Sequence, residues 1–221
     1  MATFNLSEAL RYMGYKTSEE ATEEQKQKLN EVYEELAKVA HCRYHAVRLA
    51  IVLNTGDYVA FENGFVLNSK DLATKLEACD EAILFCATLG SEIDRELMQA
   101  AARGVEKQVM VQAVAASMLE SYCDELETEL LTKEDIDAGL CLLPRFSPGY
   151  GDLSIQVQPE FLRQVDAARR VGVTLTDGLV MTPTKSVSAV IGVAYKPGAN
   201  PLEHHDCSCC SLHNCAFRKD K

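Results

Sequence analysis

No stretch of the 221-residue chain approaches the roughly 18 consecutive apolar residues that a membrane helix requires. The N-terminus, Met1-Ala-Thr-Phe-Asn-Leu-Ser-Glu8, lacks the basic and apolar regions of a secretory leader, so the expected location is the cytoplasm. Basic residues are scarce as well: 22 Lys plus Arg stand against 33 Asp plus Glu, a formal net charge of −11. Such a surface repels phosphate backbones and argues against general nucleic-acid binding. Internal repeats and long low-complexity segments are absent. At 47% apolar and 25% charged residues the chain is neither disordered nor fibrous in composition, and its length suits one large globular body. Several catalytic signatures are missing too: a Gly-x4-Gly-Lys-Ser/Thr loop, a Gly-x-Ser-x-Gly elbow, a His-Glu-x2-His pair and the protein-kinase set. Familiar hydrolases and nucleotide-driven motors lose weight accordingly.

What is present begins with a helical pattern from Thr17 to about Ala40, carrying Leu29, Val32, Tyr33, Leu36 and Val39 at spacings of three and four. Val47 to Leu53 and Tyr58 to Leu67 read as strands, with Asn63-Gly64 as a tight reversal. Ser69 starts a short helix, and Ala82 to Thr88 reads as a buried strand ending at Leu89-Gly90. Helical spacing resumes from about Glu92 to Leu131, with Gly104 as a break between two helices. A helix from about Pro159 to Arg170 follows, then a strand near Val173 to Leu175 and a Val/Ser-rich strand from Lys185 to Tyr195. In that last strand Lys185, Val187 and Ala189 would share one face, and Ser186 and Ser188 the other. The folded domain is expected to span residues 1–199, with a short tail over 200–221 beginning at Pro197-Gly-Ala-Asn-Pro201.

The most unusual stretch in the body is Arg145-Phe-Ser-Pro-Gly-Tyr-Gly-Asp152. Gly149 and Gly151 let a ligand approach main chain, Tyr150 offers a ring and a hydroxyl, and Arg145 offers a planar fork for a carboxylate. These groups suit a small zwitterion or anion; a tight surface turn with a structural arginine is the plainer reading of the same residues. Gly149-Tyr-Gly151 half-mimics a dinucleotide fingerprint, but the strand, third glycine and helix do not follow in order. Glu120 sits in a mainly apolar helix, where a carboxylate must be paired, solvated or facing a cleft. His41 and His45, read on a helix with Cys42 between them, would share a face able to bind metal, though no third ligand is placed.

Of nine cysteines, Cys42, Cys79, Cys86, Cys123 and Cys141 lie among apolar neighbours, as reduced buried thiols do. The other four, Cys207, Cys209, Cys210 and Cys215, crowd the C-terminus with His204, His205 and His213 nearby. This cluster offers soft ligands to zinc or to an iron-sulfur cluster, with three or four thiols engaged, or forms a thiol-rich tail without metal.

Read together, Ala87-Thr-Leu-Gly-Ser-Glu-Ile-Asp-Arg95, Met118-Leu-Glu-Ser-Tyr-Cys-Asp124, the Arg145 loop, Leu175-Thr-Asp177 and Met181-x-Pro-x-Lys-Ser-Val-Ser188 form an ordered series. In order and spacing it resembles the activation domain of vitamin B12-dependent methionine synthase, in a free-standing form, from about Glu81 to Gly192. The resemblance implies an α+β fold: a twisted antiparallel sheet with flanking helices, here with a short cysteine-rich C-terminal tail. It also implies S-adenosylmethionine bound in a shallow cleft by Glu120, Arg145, Gly149 and Tyr150, with Ser147 where the fused enzymes usually carry Ala. Arg145 would take the ligand carboxylate and Glu120 its ammonium or sulfonium, each worth about 1.5–3 kcal/mol as a dry, charged hydrogen bond.

The family's task is reductive methylation of inactive cob(II)alamin, and no side chain need act as acid or base. This chain has no Asp-x-His-x2-Gly cobalamin motif and no homocysteine or folate module, so cobalamin is expected on a partner, the methionine synthase core or a related corrinoid protein. A flavodoxin- or ferredoxin-type donor would supply the electron, or the cysteine tail would do so in its place. The other reading is a non-enzymatic metal or iron-sulfur redox module that docks on a corrinoid protein. The first 80 residues match the fused domain poorly.

Overall fold

The structure, a computed structural model, describes residues 2–196. The tail cysteines Cys207, Cys209, Cys210 and Cys215, and the expected domain boundary at residue 199, lie outside the described residues.

Strand β4 (Cys79–Thr88) is buried throughout from Ala82 onward, the pattern of a strand covered on both faces. It pairs on one side with β1 (Arg43–Asn54), from Arg43↔Thr88 to Ala50↔Glu81. On the other side it pairs with β8 (Ser186–Tyr195). With β2 (Tyr58–Phe61), β3 (Val66–Asn68) and β5 (Leu140–Leu142) they form a six-stranded sheet in the order β3-β2-β1-β4-β8-β5, antiparallel at every pairing. A separate two-stranded ribbon joins β6 (Thr174–Leu175) to β7 (Met181–Thr182).

Side chains alternate across the sheet with the period of two that extended backbone imposes. Ile83, Phe85, Ala87, Ala189 and Ile191 face a helical layer of α1 (Leu6–Tyr12), α2 (Glu23–Val39), α4 (Ser91–Arg103) and α5 (Val105–Glu127). Ala82, Leu84, Cys86, Val190 and Ala194 face α3 (Lys70–Lys75), α7 (Gln158–Gln164) and α8 (Ala167–Arg170). Short α6 (Lys133–Asp137) precedes β5. Phe85 and Phe161, one in each layer, are fully buried, each contributing about 2–3 kcal/mol by leaving water. No helix among the described residues is long and apolar enough to cross a membrane.

The helix expected from Thr17 begins at Glu23, because Thr22 and Gln25 close a capping box there, and only a 3-10 turn, Ser18–Glu20, precedes it. Gly104 divides α4 from α5 as expected, its φ of 122° lying where glycine alone is comfortable. The helix expected from Pro159 to Arg170 is broken into α7 and α8 by Asp166, whose φ of 48° ends the turn. The helical face proposed for His41, Cys42 and His45 does not exist. Helix α2 stops at Val39, His41 lies in the connection, and His45 pairs with Cys86 across β1 and β4. Pairing with the buried β4 extends β1 back to Arg43 and overrides the local helical spacing.

Candidate functional site

Beyond β5 the chain continues as a ragged strand along the outer edge of β8. The Leu143 amide donates to the Gly192 carbonyl at 2.8 Å, and Phe146 and Val190 exchange amide-carbonyl bonds at 2.9 and 2.8 Å. Phe146 packs against the core on the α7 side of the sheet. Alternation sends Arg145 to the opposite side, toward α5.

There Arg145 meets a row of acids. Its Nη1 donates to Glu127 Oε1 at 2.6 Å, and its Nη2 donates to Glu120 Oε2 at 2.9 Å and to Asp124 Oδ1 at 3.0 Å. Residues 120, 124 and 127, spaced by four and three, fall on one side of a helix. Arg145 and Glu127 are largely buried, with 19% and 9% of their side-chain surface exposed, whereas Glu120 and Asp124 keep 36% and 43%. Burial works against the Arg145 charge, but the carboxylates of Glu127, Glu120 and Asp124 outweigh it and hold the guanidinium protonated. Burial also pushes the Cys123 thiol up, leaving it neutral.

Helix α1 closes the other flank of Glu120. It is docked on α5 through Ser117, whose hydroxyl accepts from the Asn5 amide at 3.1 Å and donates to the Asn5 carbonyl at 2.9 Å. The Tyr12 phenol is pushed up to about 12, mainly by burial and next by the Glu120 carboxylate.

The glycine loop is held as a compact turn. The Gly149 amide donates to the Leu153 carbonyl at 2.7 Å, and the Tyr150 amide to the Ser147 carbonyl at 3.0 Å. Gly151, at φ 51°, leaves no room for a Cβ beside the Asp71 carboxylate. Tyr150 projects outward, 61% exposed, with its ring edge-on to Phe146 at 6.3 Å.

Asp152 anchors the loop to the start of α3: it accepts from the Ser69 hydroxyl, from the Lys70 amide at 2.8 Å and from the Asp71 amide at 3.3 Å. The Ser69 hydroxyl first, and the Lys70 amide next, hold the Asp152 carboxyl below the usual range. A lowered folded pKa means that this tie is present above the unfolded value of about 3.9 and is lost as pH falls through the lower folded one. Hydrogen exchange of the Lys70 and Asp71 amides is therefore expected to accelerate, beyond the intrinsic pH effect, below about pH 4, and to be fast at every pH in Asp152→Ala. Unchanged protection down to about pH 3 would contradict this assignment.

Beside the loop lies open main chain. Among the described residues no strand pairs with the outer side of Ser186–Ser188. Because the Val190 amide and carbonyl point outward to Phe146, those of Ser188, two residues along, point outward as well. The Ser186 and Ser188 side chains share the α7 side of the sheet, Ser188 accepting from Gln158 Nε2 at 2.7 Å, while Val187 and Ala189 pack on the helical layer. Lys185 reaches the Gln112 carbonyl of α5 at 3.4 Å.

The structure thus brings together Glu120 and Arg145, and it places Ser147, Gly149 and Tyr150 in the loop that Arg145 opens. Both terminal nitrogens of Arg145, pictured from sequence as a fork for a ligand carboxylate, hold carboxylates of the chain itself. Asp124 and Glu127 do not stand out by residue type; their spacing of four and seven from Glu120 is the signal that places them beside it. Among the described residues no group of three or more His, Cys, Asp or Glu is arranged to hold a metal ion.

No protein-family model matches the sequence, and no curated protein matches it. The fold does have a solved counterpart, the crystal structure of the MetH reactivation domain bound to AdoHcy. The two share a TM-score of 0.61 at 16% identity, over 90% of this chain and 78% of that one. At that identity the likeness is one of fold. It is the mixed, antiparallel activation-domain architecture that the sequence resemblance implied, and with 90% of the chain covered it extends into the first 80 residues.

Proposed function

We propose that this chain binds S-adenosylmethionine beside Arg145 and serves as the reactivation partner of a cobalamin-dependent methyltransferase, methionine synthase, in the reductive methylation of its cob(II)alamin. One observation carries the reading: in a chain with the reactivation-domain fold, Glu120 of α5 and Arg145 of the glycine loop meet at 2.9 Å near main chain of β8 that no strand pairs among the described residues.

S-adenosylmethionine supplies the methyl group, and cobalamin on the partner receives it. The work of this chain is positioning. The partly exposed carboxylates of Glu120 and Asp124 take the ligand's ammonium or sulfonium. Arg145, released from them, turns an N–H pair to the ligand carboxylate, so one set of ion pairs is exchanged for another. The outward amide and carbonyl of Ser188 and the loop main chain at Gly149 hydrogen-bond the polar edge of the nucleoside, and the Tyr150 ring offers a face to stack on. Ser147 holds the turn through its carbonyl. No side chain acts as acid or base.

Titration calorimetry with S-adenosylmethionine tests the reading. The wild type is expected to give a saturable heat, and Glu120→Gln, which keeps the shape but removes the charge, is expected to bind about tenfold more weakly. A flat titration of folded wild-type protein would overturn it.

A further inference from the structure

Three carboxylates, Glu120, Asp124 and Glu127, gather on the single guanidinium of Arg145, so these four side chains carry a net charge of −2. Glu120 and Asp124 share one nitrogen, Nη2, at 2.9 and 3.0 Å, while Glu127 has Nη1 to itself at 2.6 Å. The two sharers are therefore the less fully compensated. They are also the more exposed, so a ligand's cation reaches them and not Glu127. A site with surplus negative charge and partial shelter from water favours a positive ligand over a neutral one of the same shape.

We infer that this collar selects its ligand by charge: it holds the sulfonium S-adenosylmethionine and releases S-adenosylhomocysteine, with Asp124 as the residue that sets the preference. The inference rests on the S-adenosylmethionine reading above and adds a direction to it. When the methyl group passes to the partner's nucleophile, the S–CH3 bond breaks, its electron pair stays on sulfur, and a new bond forms to the methyl carbon from the nucleophile's own pair. The ligand's net charge falls from +1 to 0. The attraction that held the substrate is thereby removed from the product, and the site clears for another turnover.

A unit charge about 6–12 Å from one uncompensated carboxylate at an effective dielectric near 20 corresponds to a preference of about ten- to a hundredfold, weakening with salt. The test compares three ligands by equilibrium titration: S-adenosylmethionine, S-adenosylhomocysteine, and sinefungin, a stable analogue with an ammonium near the sulfonium position. Wild type at low salt is expected to bind the two cationic ligands at least about tenfold more tightly than S-adenosylhomocysteine, with the ratio shrinking several-fold in Asp124→Asn and at high salt. Binding of all three within about twofold would overturn the charge selection and leave the S-adenosylmethionine reading standing. Binding of none would overturn that reading and the selection with it. Should Asp124→Asn fail to fold, the wild-type ratio and its salt series decide the matter alone.

Discussion

Replacing Arg145 with alanine is expected to destabilise the fold by about 3 kcal/mol, a fall in Tm of about 6–12 °C for a domain of this size. Most of the loss comes from Glu127, 9% exposed, which loses its bond to the guanidinium at 2.6 Å, since breaking a buried ion pair by removing one member is costly. Glu120 and Asp124 are exposed enough for water to screen them, and they add little. Arg145→Lys should recover only part of the loss, because one ammonium cannot span three carboxylates held at 2.6 to 3.0 Å by a planar fork. Urea or thermal unfolding followed by circular dichroism measures both variants. A loss under about 1 kcal/mol in Arg145→Ala would mean that the collar is a surface ornament with no bearing on the fold.

Gly192→Val is expected to be comparably damaging although it lies outside the site. A Cβ at Gly192 would stand 2.6 Å from Leu76 Cδ2, 2.8 Å from Cys79 Sγ and 3.0 Å from Leu143 Cδ1, in a closed layer. Valine adds two further methyl groups where the first does not fit, at a cost of about 3 kcal/mol. The sign is what makes the test sharp, since on a strand with free space valine stabilises relative to glycine. Pushing Leu143 aside also disturbs the amide that it donates to the Gly192 carbonyl at 2.8 Å, and with it the register in which Arg145 is delivered to α5. S-adenosylmethionine binding is therefore expected to weaken together with stability in Gly192→Val, and much less in Gly192→Ala. A valine variant melting within about 2 °C of the wild type would show that the layer has slack.

Local pattern and tertiary outcome coincide over much of the sheet and its helices. The apolar run from Ala82 to Thr88 is a central strand because nothing but burial on both faces suits it, and Gly104 divides two helices because its backbone angle excludes other residues. Elsewhere a distant partner overrides the local signal. His41 and His45 have the helical spacing of ligand types, yet pairing with β4 draws His45 into an extended strand and leaves His41 in the connection before it. Asp166 interrupts an otherwise plausible helix so that Val165 and Ala167 can both enter the core. Helix α1, which flanks Glu120, leaves no pattern in the sequence, being only Leu6–Tyr12 in length and dependent on Ser117 of α5 for its place.

Periodicity and residue type by themselves determined which faces are apolar, where the chain must turn and that Arg145 and Glu120 need polar partners, because these are properties of a few neighbouring residues. Which groups meet was decided only by tertiary structure. Arg145 lies 18 to 25 residues along the chain from the three acids, and only the docking of its loop on the outer edge of β8 turns a lone arginine and a lone glutamate into a collar with surplus charge. Spacing along a helix states that three carboxylates share a side; it contains nothing about what that side will face.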